Sequence, residues 1–453
     1  MTDRTRFPAE FLWGAATSAY QIEGSPLADG AGVSNWHRFS HRPGTVAHGD
    51  TGDLACDHYR RWRDDLQWMR RLGLSAYRFS IAWHRLFPDG RSGPNPKGLD
   101  FYQRLVDALN QAGIEPFITL HHWDMPAALE DLGGWAHRDC PQRFADYAHC
   151  LFRALAGRVR LFATLNEPWV IVHEGYLQGG HPPGLRSPAK ARLAAHHLLL
   201  GHGLAVAAFR ADGQGRIGLV VNLEPKHPAS DRPEDQAAAS RLDAYMNRQF
   251  LDPLWFGAYP DELAEIFGPD QVEFPAADWR LIRQPVDFLG INYYSRAVVR
   301  ADPAHPPFYA QALPPQGECT AMGWEVYPAG LETCLLWVKD RYPGVPLYVT
   351  ENGAAFDDPP PSAGRVADPR RTDYFRTHLR ALHRAMAQGA PVQGYFAWSL
   401  LDNFEWTYGY AKRFGLIHVD FATQTRTLKD SGRFYQQVIE SQGAILDDPP
   451  GGG

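Results

Sequence analysis

Short apolar runs and longer segments with helical spacing alternate along the whole chain. The short runs are rich in β-branched and aromatic residues, which favours buried strands, whereas apolar residues every three or four positions are typical of amphipathic helices. Segment 57–72 shows the second pattern: Trp62, Leu66 and Met69 lie on one helical face, and the segment ends at Gly73, a residue type that commonly terminates helices. The alternation predicts a series of strand–helix units.

Eight strands can be located in this way. Parallel strands in this order, with helices between them, close most simply into a single (β/α)8 TIM barrel of the α/β class. Strands are predicted at 11–16, 75–83, 115–123, 161–166, 216–223, 287–294, 347–350 and 394–400, and helices at 57–72, 97–112, 141–156, 188–211, 233–249, 261–268, 329–341 and 429–441.

The same pattern predicts the domain organisation. No linker interrupts the alternation, so residues 1–446 are expected to form one catalytic barrel domain. The tail 447–453 consists of Asp, Pro and Gly and is predicted to be disordered. Loops 24–56, 301–328 and 354–368 are too long for simple connections, and we assign them to the substrate-binding mouth of the barrel.

Two of the predicted strands end at a glutamate. Strand 347–350 stops at Glu351, and strand 161–166 is followed by Glu167 and Pro168. In a parallel barrel the carboxyl ends of all strands open at one face, so residues far apart in sequence can face each other across one cavity. Two carboxylates across a sugar-sized gap are what glycoside hydrolysis requires.

Other polar or aromatic side chains also lie at strand ends. For any single one of them, a structural role is the more common explanation, but together with Glu167 and Glu351 they converge from seven of the eight strands, which favours a site. The set comprises Gln21, Arg78, His122, Asn166, Asn292, Tyr294 and Trp398.

The chemistry suggests roles for some of these groups. Cleavage with retention needs a proton donor for the departing oxygen and a carboxylate nucleophile at C1, and Glu351 and Glu167 can fill these two roles. Arg78 is a candidate to keep the nucleophile ionised, since a nearby guanidinium lowers the pKa of a carboxylate, and Tyr294 can donate a hydrogen bond to it. The alternative is that Arg78 only ties barrel strands together.

The adjacent His121 and His122 do not predict a metal site. Neighbouring residues of a strand point to opposite faces, and no H-E-x-x-H or similar ligand spacing accompanies them. We expect no metal and no other cofactor. One of the two histidines should instead face the mouth and hydrogen-bond a sugar hydroxyl.

Glu405 and Trp406 are adjacent in the segment after the eighth strand. A carboxylate can accept hydrogen bonds from two hydroxyl groups while an indole stacks on the sugar ring. The dipeptide alone is a weak signal, but together with Trp398 it favours a hexose pocket.

Bulk composition narrows the partners and the location. A formal net charge of −6 argues against a nucleic-acid or anionic-membrane surface, and no run approaches the roughly 20 apolar residues of a membrane span. The N-terminus lacks the apolar core of a secretion signal, so a cytoplasmic enzyme with a small-molecule substrate is expected. The five cysteines form no C-x-x-C motif, which favours reduced, mostly buried thiols. A homo-oligomer is compatible with the sequence, which does not determine the oligomeric state.

Eight motifs, spread from about residue 7 to residue 441, carry a family resemblance. They are FLWGAATSAYQIEG, YRFSIAW, TLHHWDMP, NEP, DFLGINYYS, MGWEVYP, VTENG and GYFAWSLLDNFEWTYGYAKRFGLIHVD. In this order they closely resemble the family 1 glycoside hydrolases, the β-glucosidase family.

The resemblance implies a retaining (β/α)8 enzyme whose acid/base lies in the T-x-N-E-P motif, here Glu167, and whose nucleophile lies in the [IV]-T-E-N-G motif, here Glu351. It also implies positions around the substrate. These are Gln21, His122, Asn166, Glu405 and Trp406 around the glycone, Trp398 below the sugar, Asn292 and Tyr294 near the nucleophile, and Trp324 on the aglycone side.

Relatives with altered chemistry differ at positions that are intact here. The plant thioglucosidases of this fold carry Gln where Glu167 stands, and the 6-phospho-β-glycosidases have a Ser and a Lys in the loop of Glu405 and Trp406. His121 stands where the family usually has an aromatic residue, which concerns only loop packing.

The expected function is therefore hydrolysis of terminal β-D-glucosyl residues from small β-glucosides and oligosaccharides, with β-galactosidase, β-fucosidase and transglycosylation side activities. The alternatives are a catalytically silent sugar-binding barrel and a metal-dependent barrel hydrolase.

Overall fold

Eight parallel strands form a closed barrel, in which the first strand pairs with the second on one side and with the eighth on the other. The computed structural model describes residues 5–268 and 273–448. The (β/α)8 barrel predicted from the sequence is confirmed. Its strands are β1 (Leu12–Ala16), β2 (Ala76–Ser80), β3 (Glu115–His121), β4 (Leu161–Asn166), β5 (Arg216–Leu223), β6 (Phe288–Tyr293), β7 (Leu347–Asn352) and β8 (Val392–Trp398).

Helices connect the strands, and shorter elements lie in the loops. None of the helices in the described ranges is long and apolar enough to cross a membrane. The α-helices of seven or more residues are His58–Arg71, Pro96–Gln111, Cys140–Ala154, Pro188–Asp212, Pro233–Met246, Ala276–Ile282, Pro328–Arg341, Pro369–Ala387 and Asp430–Glu440, and the short ones are Ala19–Ile22, Asn35–Ser40, Trp83–Leu86, Ala127–Asp131, Pro168–Val170, Asp252–Phe256 and Glu262–Phe267.

Small strands pair outside the barrel. Lys226–Pro228, Ala297–Ala301 and Ala310–Ala312 form one sheet, and Ile417–Val419 pairs with Arg426–Leu428. The first of these sheets extends the loops after β5 and β6 above the barrel.

The predicted strands and helices are present, but some bounds differ, and helix Ala276–Ile282 is an element that the sequence pattern did not predict. The predicted strand 75–83 ends early, because Trp83–Leu86 forms a short helix. Helix Pro369–Ala387 was not predicted, although Phe375, Leu379 and Leu382 form its buried face. Five arginines among its 19 residues lower its mean hydropathy and hide the apolar spacing.

Aromatic rings fill the barrel interior. Phe117, Phe288, Tyr348 and Phe396 are fully buried and meet edge to face, with ring centroids 5.3–5.9 Å apart. Such pairs stabilise beyond the area that they bury. This packed layer forms a rigid floor for side chains at the strand ends.

The two strands that precede the predicted catalytic glutamates are irregular at their carboxyl ends. The register of β4 against β5 shifts between Ala163 and Asn166, and that of β7 against β6 shifts between Val349 and Glu351. Bulges of this kind re-aim side chains and are common next to active sites. The register shifts therefore lie at the two strand ends that carry Glu167 and Glu351, where an active site is predicted.

The long loops differ in what they contact. Loop 301–328 contributes Phe308, Met322 and Trp324 to the cavity described below, and loop 24–56 packs Trp36 against Trp406. Of the three loops that the sequence assigns to the mouth, only loop 301–328 lines the cavity itself; no residue of loop 24–56 or of loop 354–368 does.

The sequence predicts that the barrel domain ends at residue 446 and that the tail 447–453 is disordered. Asp447 belongs to the last helical turn, Ala444–Asp447, and accepts hydrogen bonds from the main-chain N–H and the hydroxyl of Thr5. Residues 449–453 lie outside the described residues. Of the five cysteines, Cys56, Cys140 and Cys334 are buried, and all five are free thiols, in agreement with the sequence.

Candidate active site

A cavity of about 590 Å³ opens at the carboxyl ends of the barrel strands. Its wall combines indole and phenol rings with carboxylates, which is typical of a site that binds a small polar ligand. A second cavity of about 560 Å³ lies at the amino ends of the strands, but there Glu115 is paired with Arg160. The first cavity is the one that contains predicted site residues, with Glu167 and Glu405 in its wall.

Glu167 follows β4 directly and has a strained backbone. Its φ of 48° and ψ of 64° lie in the left-handed region, which non-glycine residues rarely adopt and which is often found at functional sites. Its main-chain N–H donates to the carbonyl oxygen of Val220 on β5 (3.0 Å). Pro168 then begins a helix, so the carboxylate is held at the turn between strand and helix.

Asn292 on β6 donates from Nδ2 to Oε1 of Glu167 at 2.7 Å. The orientation of its amide is fixed, because its Oδ1 accepts a hydrogen bond from the hydroxyl of Thr350 at 2.7 Å. The same Nδ2 lies 3.1 Å from Oδ1 of Asn166. Asn292 therefore links the ends of β4, β6 and β7.

Glu351, near the end of β7, accepts two strong hydrogen bonds. Nη1 of Arg78 lies 2.6 Å from Oε1, and the Tyr294 hydroxyl lies 2.6 Å from Oε2. Charge-assisted bonds of this length are roughly twice as strong as neutral ones. Glu351 is thus held by a cation and a phenol, whereas Glu167 is held by an amide.

Arg78 fills both of the roles that the sequence left open. Besides Glu351, its guanidinium donates to Oδ1 of Asn166 (2.6 Å), to Oγ1 of Thr119 (3.1 Å) and to the carbonyl oxygen of Thr350 (3.2 Å). It therefore ties β2 to β3, β4 and β7 and also pairs with a carboxylate.

Both carboxyl groups have raised pKa values, and the causes differ. Burial raises the pKa of Glu167, and the negative charge of Glu351 raises it further. Burial also raises the pKa of Glu351, while Arg78 and Tyr294 oppose the rise. Arg78 lowers the pKa of Glu351, as expected from the sequence, but the loss of hydration on burial raises it by more. Of the two, Glu167 lacks a strong opposing partner and is the group that keeps a proton more readily.

A third carboxyl group, Glu405, lies on the far side of the cavity. Nε2 of Gln21 is 3.3 Å from its Oε2, and burial together with the charge of Glu351 raises its pKa to about 8. Trp406 beside it has a φ of 48°, a second strained backbone at the cavity. Gln21 also donates to the carbonyl oxygen of Phe404 (3.0 Å), which fixes this loop.

The two adjacent histidines point to opposite faces of β3, as their spacing requires. His121 accepts from the indole N–H of Trp135 outside the barrel at 3.1 Å. His122 lies within 3.1 Å of Nδ2 of Asn166, with its ring stacked 5.9 Å from Trp398 and 6.0 Å from Trp406.

The structure brings all the sequence-predicted residues into one connected group. Glu167, Asn292, Tyr294, Trp324, Glu405 and Trp406 line the cavity. The others lie directly behind this lining, joined to it by the contacts given above; they are Gln21, Arg78, His122, Asn166, Glu351 and Trp398.

Sequence reasoning missed several lining residues. Trp123 has a φ of 77°, donates to the carbonyl oxygen of Asn166 and lies 4.6 Å from Trp406. Asn222 lies near the end of β5, where the strand-end argument would have found it. Trp169, His173, Glu174 and His181 also line the cavity, from a segment after β4 that has no strand signal.

A family model described as Glycosyl hydrolase family 1 matches residues 3–444. Curated relatives match over nearly their whole length. The 1,4-beta-D-glucan glucohydrolase of Thermotoga neapolitana is 48% identical over 446 residues, covering 97% of this chain and 99% of the relative. The bifunctional beta-D-glucosidase/beta-D-fucosidase of Bifidobacterium breve is 44% identical over 460 residues, covering 97% and 99%.

Solved structures agree with the fold. The family 1 β-glucosidase from Thermotoga maritima superposes with a TM-score of 0.95 at 47% sequence identity, covering 97% of this chain and 99% of that one. The sequence match and the structural match therefore each cover 97% of this chain.

Proposed function

The chain belongs to glycosyl hydrolase family 1, and from that premise we propose that it is a retaining β-glucosidase that removes terminal non-reducing β-D-glucosyl residues from small β-glucosides and oligosaccharides. The observation that carries the proposal is the pair of buried carboxyl groups at the barrel mouth, Glu167 and Glu351, which have different hydrogen-bond partners. Paired carboxyl groups whose pKa values are pushed apart can serve as acid and nucleophile.

In the first step, a carboxylate oxygen of Glu351 attacks C1 and forms a glycosyl ester. The bond from C1 to the leaving oxygen breaks, and that oxygen takes the proton of Glu167. Arg78 and Tyr294 hold the Glu351 carboxylate in position for attack. The raised pKa of Glu167 supports this assignment, because an acid must carry its proton near neutral pH.

In the second step, Glu167 removes a proton from water, and the oxygen of that water displaces Glu351 from C1. The ester has no negative charge, so the contribution of Glu351 to the raised pKa of Glu167 disappears in the intermediate. Glu167 then loses its proton more easily and can act as a base. Two inversions at C1 give net retention.

The residues around the cavity are proposed to bind the glycone. Glu405 accepts hydrogen bonds from two hydroxyl groups, and Gln21 holds Glu405 in place. His122 and Asn166 contact further hydroxyl groups, Trp398 and Trp406 supply apolar faces for the ring, Asn292 contacts the sugar near Glu351, and Trp324 contacts the aglycone.

An unmodified hexose is favoured over a 6-phosphorylated one. Lys412 donates to the carbonyl oxygen of Ala321 (2.5 Å), and Arg413 pairs with Asp402 (2.7 Å). Neither lines the cavity, whereas Glu405 does, and its carboxyl group offers a phosphate no positive charge. Activity on β-galactosides and β-fucosides is part of the proposal, and the bifunctional relative from Bifidobacterium breve supports it. Transfer of the glucosyl group to acceptors other than water is also part of the proposal.

We also propose a cytoplasmic location and a role in the degradation of cellulose fragments. The proposal is compatible with a monomer and with a homo-oligomer.

The assignment of Glu167 is tested with Glu167→Ala and two substrates. An alkyl β-glucoside needs a proton for its leaving oxygen and should lose nearly all activity. A dinitrophenyl β-glucoside needs none, so its glycosylation rate should fall far less, and added azide should give β-glucosyl azide. Equal losses for both substrates would refute the role.

Retention and sugar preference are tested with the parent enzyme. Early proton NMR spectra should show β-glucose first, and an α-product would exclude the mechanism. Nitrophenyl β-glucoside should exceed its 6-phospho counterpart by orders of magnitude in kcat/KM. No turnover of any β-glycoside would instead favour the silent sugar-binding barrel.

A further inference from the structure

His37 and His41 lie one helical turn apart at the end of helix Asn35–Ser40, and both face Asp53. Nδ1 of His37 is 3.2 Å from Oδ1 of Asp53, and Nε2 of His41 is 3.0 Å from Oδ2. One donor atom from each residue lies within 4.8 Å of the other two, and residues 5–268 and 273–448 contain no other such group of His, Cys, Asp or Glu. None of the three lines the substrate cavity.

The hydrogen bonds around His41 fix which of its nitrogens carries the proton. Nδ1 lies 2.7 Å from the carbonyl oxygen of His37, which only an N–H at Nδ1 can satisfy. In the neutral ring, Nε2 then presents its lone pair to the carboxylate of Asp53. Two acceptors 3.0 Å apart repel each other unless a proton or a metal cation lies between them, and metal-binding histidines commonly show this arrangement of the second nitrogen.

Within the described ranges, Asp53 pairs with no Lys or Arg, only with the two histidines. Arg38, on the same helix, pairs with Glu130 and Asp131, and Arg42 lies over the ring of Phe39. Nδ1 of His37 is buried and makes no hydrogen bond of good geometry to any part of the chain that the structure describes. In the tautomer protonated at Nε2, this nitrogen presents a lone pair towards Asp53, 3.2 Å away.

We propose that His37, His41 and Asp53 bind a divalent transition-metal ion of the Zn²⁺ class. A tetrahedral ion with ligands at about 2.0–2.2 Å requires donor atoms roughly 3.3 Å apart. The nitrogens of His37 and His41 lie 3.2 and 3.0 Å from the two different oxygens of Asp53, and one donor atom from each residue lies within 4.8 Å of the others. Two imidazoles and one carboxylate suit Zn²⁺ better than Ca²⁺ or Mg²⁺, which prefer oxygen ligands. Water completes the coordination, because the side chains of His41 and Asp53 are 43% and 46% exposed.

The ion would clip the helix to the turn that follows it. Trp36, next to His37, lies 4.5 Å from Trp406, and the carbonyl oxygen of Asp53 accepts from the N–H of Ser25 (2.8 Å). Binding therefore joins two parts of loop 24–56 that flank the cavity wall. The site is structural and takes no part in glycoside cleavage.

Calorimetric titration of tag-free, EDTA-dialysed protein with ZnCl2 at pH 7.5 tests the site. One ion should bind per chain, and Tm should rise, since a ligand that binds only the folded state stabilises it. Asp53→Asn and His41→Gln should each bind Zn²⁺ at least about tenfold more weakly, because even loss of a hydrogen-bond partner of a ligand commonly costs roughly 10- to 100-fold.

His149→Gln is the matched control. His149 is an exposed histidine that pairs with a single carboxylate, Asp212, and its loss should leave binding unchanged. Replacement of Zn²⁺ by Co²⁺ should give the visible absorption bands of a tetrahedral site in the parent and in His149→Gln, but not in His41→Gln. Absence of stoichiometric binding by the parent, or equal binding by Asp53→Asn, His41→Gln and the parent, would overturn the proposal.

Discussion

Two groups of buried ionisable side chains differ in how their charges balance. At the barrel mouth, the guanidinium of Arg78 pairs with Glu351 and opposes the rise in the pKa of Glu167, whereas Glu405 is held by the amide of Gln21. All three carboxyl groups have raised pKa values, because burial removes water from each and the negative charge of Glu351 acts on the other two.

In the second group, three carboxylates meet three cations. Asp402 accepts from Lys429 (2.6 Å) and Arg413 (2.7 Å), and Asp358 accepts from Lys429 (2.5 Å) and Arg371 (2.9 Å). Burial alone would raise the pKa of Asp402, but Lys429 and Arg413 outweigh it and hold that pKa below its usual range.

The third carboxylate, Asp368, shows the limit of this balance. Arg371 lies 2.5 Å from it, yet burial still leaves the pKa of Asp368 raised.

The two groups show that carboxyl groups buried to a similar degree can behave in two ways. Where cations match carboxylates, the charges tie segments together; where carboxylates are in excess, a proton is held near neutral pH and becomes available for chemistry.

The largest expected effect is on activity at the mouth. Glu351→Gln should lower kcat/KM for aryl β-glucosides by at least about 10⁴-fold, because an amide cannot form the glycosyl ester. Glu130→Gln, which removes a buried carboxylate paired with Arg38 outside the cavity, is the control and should stay near the parent value. More than a hundredth of parental activity in Glu351→Gln would contradict the role of that carboxylate.

The next effect concerns stability in the balanced group. Lys429→Met leaves Asp358 and Asp402 without their shared ammonium, so the free energy of unfolding should fall by about 3–5 kcal/mol. Lys97→Met is the control, since its pair with Asp29 is exposed and such pairs contribute little. Urea unfolding of both variants makes the measurement, and equal midpoints would show that the buried network does not stabilise the fold.

A smaller, pH-dependent effect is expected for Glu405→Gln. The pKa of Glu405 is about 8 in the folded protein and about 4.3 in an unfolded chain. The protonated, folded form is therefore favoured below pH 4.3, and this stability is lost as the pH rises through 8. Glu405→Gln has no carboxyl group to ionise and should keep this stability. Relative to the parent, its free energy of unfolding should therefore be higher at pH 9 than at pH 5 by on the order of 2 kcal/mol.

Unfolding curves of the parent and Glu405→Gln between pH 4.5 and 9 test this sign. Curves that stay parallel would mean that Glu405 is not protonated in the folded state. Binding of glucose-like inhibitors should weaken in the same variant, so that a gain in stability accompanies a loss of function.

The smallest effect is on the basic limb of the pH profile. Glu167 must carry a proton in the first step, so activity falls as the pH rises through its raised pKa. The charge of Glu405 contributes to that rise, and in Glu405→Gln the basic limb of kcat/KM should move to lower pH by less than about one pH unit. A limb that moves to higher pH would contradict the electrostatic coupling.

Much of the site could be predicted from residues that end strands. Glu167, Glu351 and Asn292 follow apolar runs whose ends share one face of a parallel barrel, so their meeting depends on topology alone. Trp169 and His181 could not be found in this way, because they lie in a segment that packs over the mouth only after the barrel closes. Helix Pro369–Ala387 was not predicted, because its five arginines interrupt the apolar spacing along its sequence.

The barrel, the polar groups at the strand ends and the family could all be predicted from the chain alone, because periodicity and motif order are local properties. Which carboxylate meets which cation depends on how distant segments come together in the fold. Arg78 and Glu351 are far apart in sequence and lie 2.6 Å apart, and Lys429 reaches Asp402 rather than a pocket glutamate. A pKa depends on burial and on distances of a few ångströms, and these exist only once the chain has folded.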